Sequence, residues 1–563
     1  MALSTLTTLS LAVLLVLCLR NGIQRFQRWR RLRHVPGPRL AGWTSLWMTG
    51  QFIKGDVHEL WKDLAEKYGP LVRFGPDQVL CTDLESILRI TSVRSDYRKS
   101  DWYDLARMGD DDNLLSMTDK ERRRERRKKV APAYNGKGAG SHIFNIETGL
   151  NRTIAAWTEL IDRKYLGSGP IFQPLDIAQS VHFYALDSLG EIAYSQSLGY
   201  IANDKDMNDV LKINEATFPW MYLLNNHHFF FRVLRKWPFS MLLPRAGDKA
   251  GLGAIMGHTT SIIDRRFNFF HSSSSSSLEK SSSPEKIPVP QDMLQSFISH
   301  GLTRPELQEE VTVQLFAGSD TVANGIRLCL LHLFSSPQVY RRLQAELDAA
   351  YPFLSHKTCP PTPGQERPIS YSTCLQLPYL QAVLKESLRI LPPVVTGGFY
   401  KDVPLGHGHG HNGGEGDTIA GYSLPPGTKV ATGAAIYAMC RSKQVFGLDA
   451  DVFRPERWLE AEEEAAARLE DESAARTNVP EKNELLGEAG RRLRDMEITL
   501  GLMFGHGQFE CVGKKLAMMQ MNKVVAELVR RYDFNVLNPR RPCKVENALM
   551  WFVKDFWVRV ERR

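Results

Sequence analysis

Phe504-Gly505-His506-Gly507-Gln508-Phe509-Glu510-Cys511-Val512-Gly513-Lys514-Lys515-Leu516-Ala517 puts one cysteine at the end of a glycine-punctuated loop, directly before a run of helical character from Lys514 to Val529. A thiolate there meets the free N–H groups of a starting helix, whose partial positive charge favours an anion. Gly507 permits a turn with positive φ, and Gly513, lacking a Cβ, lets a large group approach the backbone. A flat macrocycle answers that description, and thiolate ligation of haem iron is a known use of a single cysteine. On its own the pattern more often marks a buried small thiol. The reading therefore depends on what the rest of the chain supplies.

One such supply lies upstream. Thr303-Arg304-Pro305-Glu306 is a capping box, and Leu307, Val311, Leu315, Gly318, Val322 and Ile326 follow at helical spacing. The pattern predicts one buried helix of roughly 30 residues, about 45 Å long. Ala317-Gly318-Ser319-Asp320-Thr321 interrupts it. Gly costs a helix interior roughly 1 kcal/mol against Ala, and Thr can bond the carbonyl one turn back. An acid–alcohol pair beside a small residue suits a proton relay to a ligand pressed against the helix, with Asp320 and Thr321 as its members; a capped polar kink would look the same. Pro378 to Ile390 reads as a shorter helix with Glu386 and Arg389 on one face. A buried pair of this kind needs further donors, and Phe453-Arg454-Pro455-Glu456-Arg457-Trp458 offers Arg457.

The chain has 563 residues, 43% hydrophobic and 24% charged, with a net charge of +8. That is a globular composition, and its bases are clustered, which argues against nucleic acid as partner. The 8 cysteines include no C-x-x-C pair, so neither a disulfide framework nor a structural zinc site is expected. Glu121 to Lys129 packs seven bases and two acids into nine residues. It is either a solvated helix face or a surface for an anionic partner, with Arg123 and Arg127 one turn apart.

Met1 to Leu19 carries no charge, and Arg20, Arg25, Arg28, Arg30, Arg31 and Arg33 follow without an acid. Length and charge order predict a transmembrane signal-anchor over 1–20 with the remainder cytosolic. A basic, proline-rich linker over 21–38 and a catalytic domain over 39–563 come next. Further expectations are a helix over Val57–Tyr68, a hairpin of Leu71–Phe74 with Val79–Thr82, and helices over Ser141–Lys164 and Asp176–Tyr194. A second hairpin is expected over Tyr422–Val430. The Ser-rich stretch 272–290 should be a disordered insert, and Gly406 to His411 a floppy loop rather than a metal tract. Ser92 to Met117 lacks a period, as a surface or substrate-facing loop would.

Four separated motifs, Ala317–Thr321, Glu386-Ser-Leu-Arg389, Phe453–Arg457 and Phe504–Ala517, stand in the order of the cytochrome P450 superfamily. The chain most resembles its fungal, membrane-bound, pisatin-demethylase-type monooxygenases. The resemblance implies a mostly α fold with a small β lobe, haem b between the long helix and the cysteine loop, and Cys511 as axial ligand to its iron. It implies cofactor contacts from Phe504 and Gly513, propionate contacts from Arg127, Arg123 and Lys401, and a structural triad of Glu386, Arg389 and Arg457. It also implies NADPH electrons through a cytochrome P450 reductase, an apolar small-molecule substrate of secondary metabolism, and residence in the endoplasmic reticulum membrane. The family's usual cation shortly before the cysteine is missing, its place taken by Gln508 and Phe509. Two other readings share these residues: a haem-thiolate isomerase, dehydratase or peroxygenase that needs no reductase, and a catalytically dead membrane haem-binding protein.

Overall fold

The computed structural model describes residues 2–563 apart from 139–145, 168, 170, 228–232, 246, 249–250, 276–289, 352–367, 396–397, 406–415, 476–487 and 549. The Gly406–His411 tract and most of the Ser-rich insert fall among those exceptions. The helix Gly251–Ser275 carries into that insert as far as Ser275.

The fold is mostly helical and is assembled around the helix Arg304–Phe334. Its start is fixed by the capping box, in which Glu306 Oε2 accepts the Thr303 N–H at 2.8 Å. Leu307, Val311, Leu315, Ile326 and Leu330 are all buried along it. Among the described residues four helices pack most closely on it: Ile177–Tyr194, Gly251–Ser275, Pro378–Ile390 and Lys514–Arg531. Gly325 sets the crossing with the last, since a Cβ there would lie 2.8 Å from Met521 Sδ. That crossing is one turn beyond Thr321, so the middle of the long helix and the start of the cysteine helix share one region.

The β lobe is a five-stranded sheet in the order Leu71–Arg73, Gln78–Cys81, Lys429–Ala431, Tyr400–Asp402, Arg98–Lys99. The first pair is the expected antiparallel hairpin, with Leu71 opposite Cys81. The expected Tyr422–Val430 hairpin does not form. Tyr422–Leu424 turns back onto Asp417–Ile419, whereas Lys429–Ala431 runs parallel to Gln78–Leu80 and antiparallel to Tyr400–Asp402. Pro425 and Pro426 have no N–H to offer a ladder, and Gly427 turns with φ 75°, so the chain leaves one sheet there and enters another. Ser92 to Met117 is also more regular than expected: it contributes the edge strand Arg98–Lys99 and a tight turn, Asp101–Ala106, that buries Trp102, Tyr103 and Leu105.

The N-terminal helix does not end at Leu19 but runs from Ala2 to Arg31, carrying the first arginines within it. Among the described residues, no helix is long and apolar enough to cross a membrane. Its last turn is clamped to the β lobe. The buried Arg73 guanidinium donates to the carbonyls of Arg28, Trp29 and Gly42 at 3.3, 3.0 and 3.0 Å, and to those of Gly75 and Pro76. The Arg73 N–H meets the Pro36 carbonyl at 2.7 Å. A Cβ on Gly37 would sit 2.0 Å from the Arg73 carbonyl oxygen. The Pro36-Gly37-Pro38 end of the linker is thus packed against the β lobe.

Candidate functional site

The cysteine loop is built by its glycines. Gly505 and Gly507 adopt φ of 73° and 55°, where other residues are strained. A Cβ on Gly507 would meet the Thr91 carbonyl oxygen at 2.5 Å. The Cys511 N–H then closes on the Phe504 carbonyl at 2.7 Å. A Cβ on Gly513 would touch only Cys511 Sγ and Tyr134 Cε1, each at 3.8 Å, so nothing in the protein itself demands glycine there. Cys511 is exposed by surface area, yet the protein crowds it enough that burial pushes its thiol up, against the opposing pull of the Gly513 N–H and Arg127. The helix start alone does not make the thiolate. A bound metal ion would, because a coordinating thiol is deprotonated outright.

The long helix opens in its middle. Ala317 is exposed and Gly318 and Thr321 are half-exposed, while Ser319, Asp320 and Val322 beside them are buried. Residues 317 and 321 share one helical face, and that face borders open space in the middle of a helix that is otherwise mostly buried, while a Cβ on Gly318 would lie 3.5 Å from Leu189. Thr321 Oγ1 donates to the Ala317 carbonyl at 2.9 Å, which leaves its lone pairs free. Asp320 does not join Thr321 on this face. Its Oδ2 accepts from Asn214 Nδ2 at 2.6 Å and its Oδ1 lies 3.1 Å from His182 Nε2. The acid–alcohol pair is adjacent in sequence and divided in space.

Among the described residues, Arg123, Lys401 and Arg127 border the loop, and Lys99 lies beside Lys401. Arg123 Nη2 donates to Gln508 Oε1 at 2.8 Å, and its guanidinium lies 4.5 Å from the centre of the Phe509 ring. Lys401 Nζ lies 4.4 Å from the same ring and donates to Tyr103 Oη and the Phe399 carbonyl at 2.7 and 2.8 Å. Gln508 and Phe509 therefore hold the cations that the loop itself lacks. The sequence reading missed Lys99, which stands opposite Lys401 in the sheet register, donates to the Leu114 and Leu115 carbonyls and lies 4.6 Å from the centre of the Tyr103 ring. Two like charges directly opposite on paired strands repel. Burial, then Arg123 and Lys401, push the Lys99 ammonium far down, and burial followed by Arg123 pushes Lys401 down to about 7. Arg123 Nη1 is buried without a partner, and no carboxylate pairs with Lys99, Arg123 or Lys401 among the described residues. Arg127 is engaged otherwise, its Nη1 donating to the Glu510 carbonyl at 2.5 Å. A cradle of unneutralised cations beside an open thiol and an open helix face suits a flat, dianionic, metal-bearing group, and haem b has that chemistry.

Behind the loop, Glu386, Arg389 and Arg457 come together fully buried. Arg389 grips Glu386 with two bonds of 2.9 and 2.7 Å, and Arg457 Nε adds one of 2.9 Å. The Arg454 N–H and Trp458 Nε1 complete the carboxylate. Burial would raise the Glu386 carboxyl, but the two guanidiniums outweigh it and hold it below its ordinary value. The arginines also satisfy carbonyls of residues 440–452, so the triad fixes that segment.

The cytochrome P450 family matches residues 36–555. Cytochrome P450 monooxygenase ABA1 of Pyricularia oryzae is 32% identical over 546 residues, covering 95% of this chain and 93% of that protein. Cytochrome P450 monooxygenase aba1 of Botryotinia fuckeliana is 30% identical over 94% of this chain and 92% of its own length. Pisatin demethylase of Fusarium vanettenii is 26% identical over 93% and 87%. The chain belongs to the cytochrome P450 family, and its named relatives are monooxygenases.

Proposed function

We propose that this enzyme is a haem-thiolate monooxygenase that places one atom of O2 into an apolar small molecule of secondary metabolism, with electrons from NADPH through a cytochrome P450 reductase. The observation that carries the reading is the coincidence of an open thiol, an open face at Ala317 and Thr321, and the unneutralised cations at Lys99, Arg123 and Lys401. Haem, when bound, supplies the oxygen activation. Cys511 would hold its iron, the three cations its carboxylates, and the small, exposed Ala317 would leave room for its ring. Thr321 Oγ1, already donating to Ala317, accepts a proton-bearing water on the open face. Trp102, Tyr103 and Phe399 pack together beside Lys401, an apolar cluster suited to lie near an apolar substrate.

A depression of about 390 Å³ on the surface of the loop is lined by Cys511, three bases, Arg127, Lys514 and Lys515, and one acid, Glu510, 3.2 Å from Lys514. Its charge suits an acidic electron donor. Membrane attachment at the endoplasmic reticulum is part of the same reading. Leu15, Val16, Leu19 and Ile23 of the N-terminal helix are 57–62% exposed, and Ile53, Trp220 and Trp237 are 67–82% exposed. Thr49 Oγ1 and His227 Nε2, 2.8 Å apart, tie the segments bearing Ile53 and Trp220, and exposed apolar side chains of this kind suit contact with lipid.

The deciding experiment is the Cys511→Ser variant. It should lose the red-shifted Soret band of the reduced CO complex, and survival of that band would put the ligand elsewhere. Product formed without NADPH and reductase would instead favour a peroxygenase or isomerase.

A further inference from the structure

Asp320 sits in a grip of three residues drawn from three helices. His182 on Ile177–Tyr194, Asn214 on Val210–Asn226 and Arg327 on the long helix are, like Asp320, 1–6% exposed. Arg327 Nη2 donates to His182 Nδ1 at 2.9 Å. A guanidinium has no acceptor, so His182 Nδ1 must accept, and the imidazole proton lies on Nε2. That nitrogen is the one 3.1 Å from Asp320 Oδ1, off the line of an ideal bond. Arg327 cannot turn away freely, because Nε is held by the Ala178 carbonyl at 2.7 Å and Nη1 by Asn324 Oδ1 at 3.3 Å. Burial lowers its guanidinium only to about 10, so it keeps its charge at neutral pH.

Asn214 supplies the second observation. Its Nδ2 bonds Asp320 Oδ2 at 2.6 Å while its own Oδ1 is buried without a partner. An unpaired buried acceptor costs roughly 1–3 kcal/mol, which is not how a residue chosen for packing behaves. Both carboxylate oxygens are thus taken up on the side of the helix away from Thr321.

We propose that His182 and Asn214 are positioning residues for Asp320, with Arg327 fixing the tautomer of His182, and that proton supply at Thr321 depends on this grip. The inference rests on the monooxygenase reading for the role of Thr321, and on geometry alone for the grip. Because Asn214 belongs to the helix that carries the exposed Trp220, movement of that helix would reach Asp320 directly.

Three variants of the haem-loaded enzyme test it. His182→Phe keeps an aromatic ring and removes both nitrogens. His182→Asn keeps an acceptor near Nδ1, and His182→Gln keeps a donor near Nε2. With 7-ethoxycoumarin as probe and NADPH plus reductase present, His182→Phe should divert electrons to peroxide and lower kcat on the order of tenfold, short of the full worth of a placed proton donor. KM should move less than about twofold, since uniform binding is untouched. His182→Gln should recover most of the loss and His182→Asn little. Peroxide and kcat at wild-type levels in His182→Phe would overturn the positioning role. Independently, denaturant midpoints of His182→Phe, Asp320→Asn and the double variant should show a coupling of roughly threefold or more in the unfolding equilibrium. Additive midpoints overturn the grip. If wild-type enzyme oxidises nothing with NADPH and reductase, the monooxygenase reading falls, and the coupling measurement alone then decides whether His182 holds Asp320.

Discussion

Lys401 gives the cation cradle a measurable sign. Its folded-state value is pushed down to about 7 by burial, from an ordinary 10.5. Between those values the unfolded chain holds a proton that the folded chain lacks, so stability rises with pH through that window and is lowest below it. For the haem-free protein, the gain from pH 6 to pH 8 at this one site is about 1.4 kcal/mol, at 1.36 kcal/mol per unit. Lys99, lowered in the same direction by burial and by Arg123 and Lys401, adds to it. Urea unfolding of haem-free wild-type protein and of Lys401→Met at both pH values isolates the contribution. The wild type should gain stability relative to the variant as pH rises. Loading with haem should cancel the difference, because two carboxylates in the cradle favour the charged lysine. Equal pH dependence in the two proteins, or a relative loss by the wild type at pH 8, would refute the claim that Lys401 is buried and unneutralised.

Arg389→Met should destabilise the protein by about 3–5 kcal/mol, read from the denaturant midpoint, because it strips two bonds from a carboxylate that is fully buried. A loss below about 1 kcal/mol would mean that Arg457 and Trp458 suffice for Glu386. Arg73→Met should free the last turn of the N-terminal helix, and limited trypsin should then cut after Arg28, Arg30 or Arg31 on the order of ten times faster, as expected when local opening controls cleavage. Unchanged cleavage would show that the clamp on the Arg28 and Trp29 carbonyls holds nothing.

Local grammar was readable wherever the reason for an element lay inside it. The capping box at Thr303, the helix from Pro378 to Ile390 and the turn between Leu71 and Cys81 need only neighbouring residues, and the structure has all three. The Glu386–Arg389 pair was readable for the same reason, since i and i+3 share a face in any helix. What failed needed partners far away in the chain. The strand Lys429–Ala431 was read with its neighbour Tyr422, but its ladders are with residues 78–80 and 400–402. Asp320 was read with Thr321 because they adjoin, yet helical geometry sends consecutive side chains about 100° apart, and His182 and Asn214 reach Asp320 from helices 138 and 106 residues away.

The cation before the cysteine shows why such absences are hard to judge from a loop alone. Gln508 and Phe509 look like a deficit when the loop is read by itself. In the fold, Gln508 takes a bond from Arg123, and one Phe509 ring lies against both Arg123 and Lys401. Positive charge has moved from the loop to the basic helix and the sheet, where strand register sets Lys99 opposite Lys401. A face of Phe attracts a cation but cannot neutralise it, so the ring separates two like charges without removing the need for an anion between them. The cradle keeps basic groups without the loop's usual residue, and its affinity for a dianionic cofactor should depend on Lys99 and Lys401 more than on anything in the loop except Cys511.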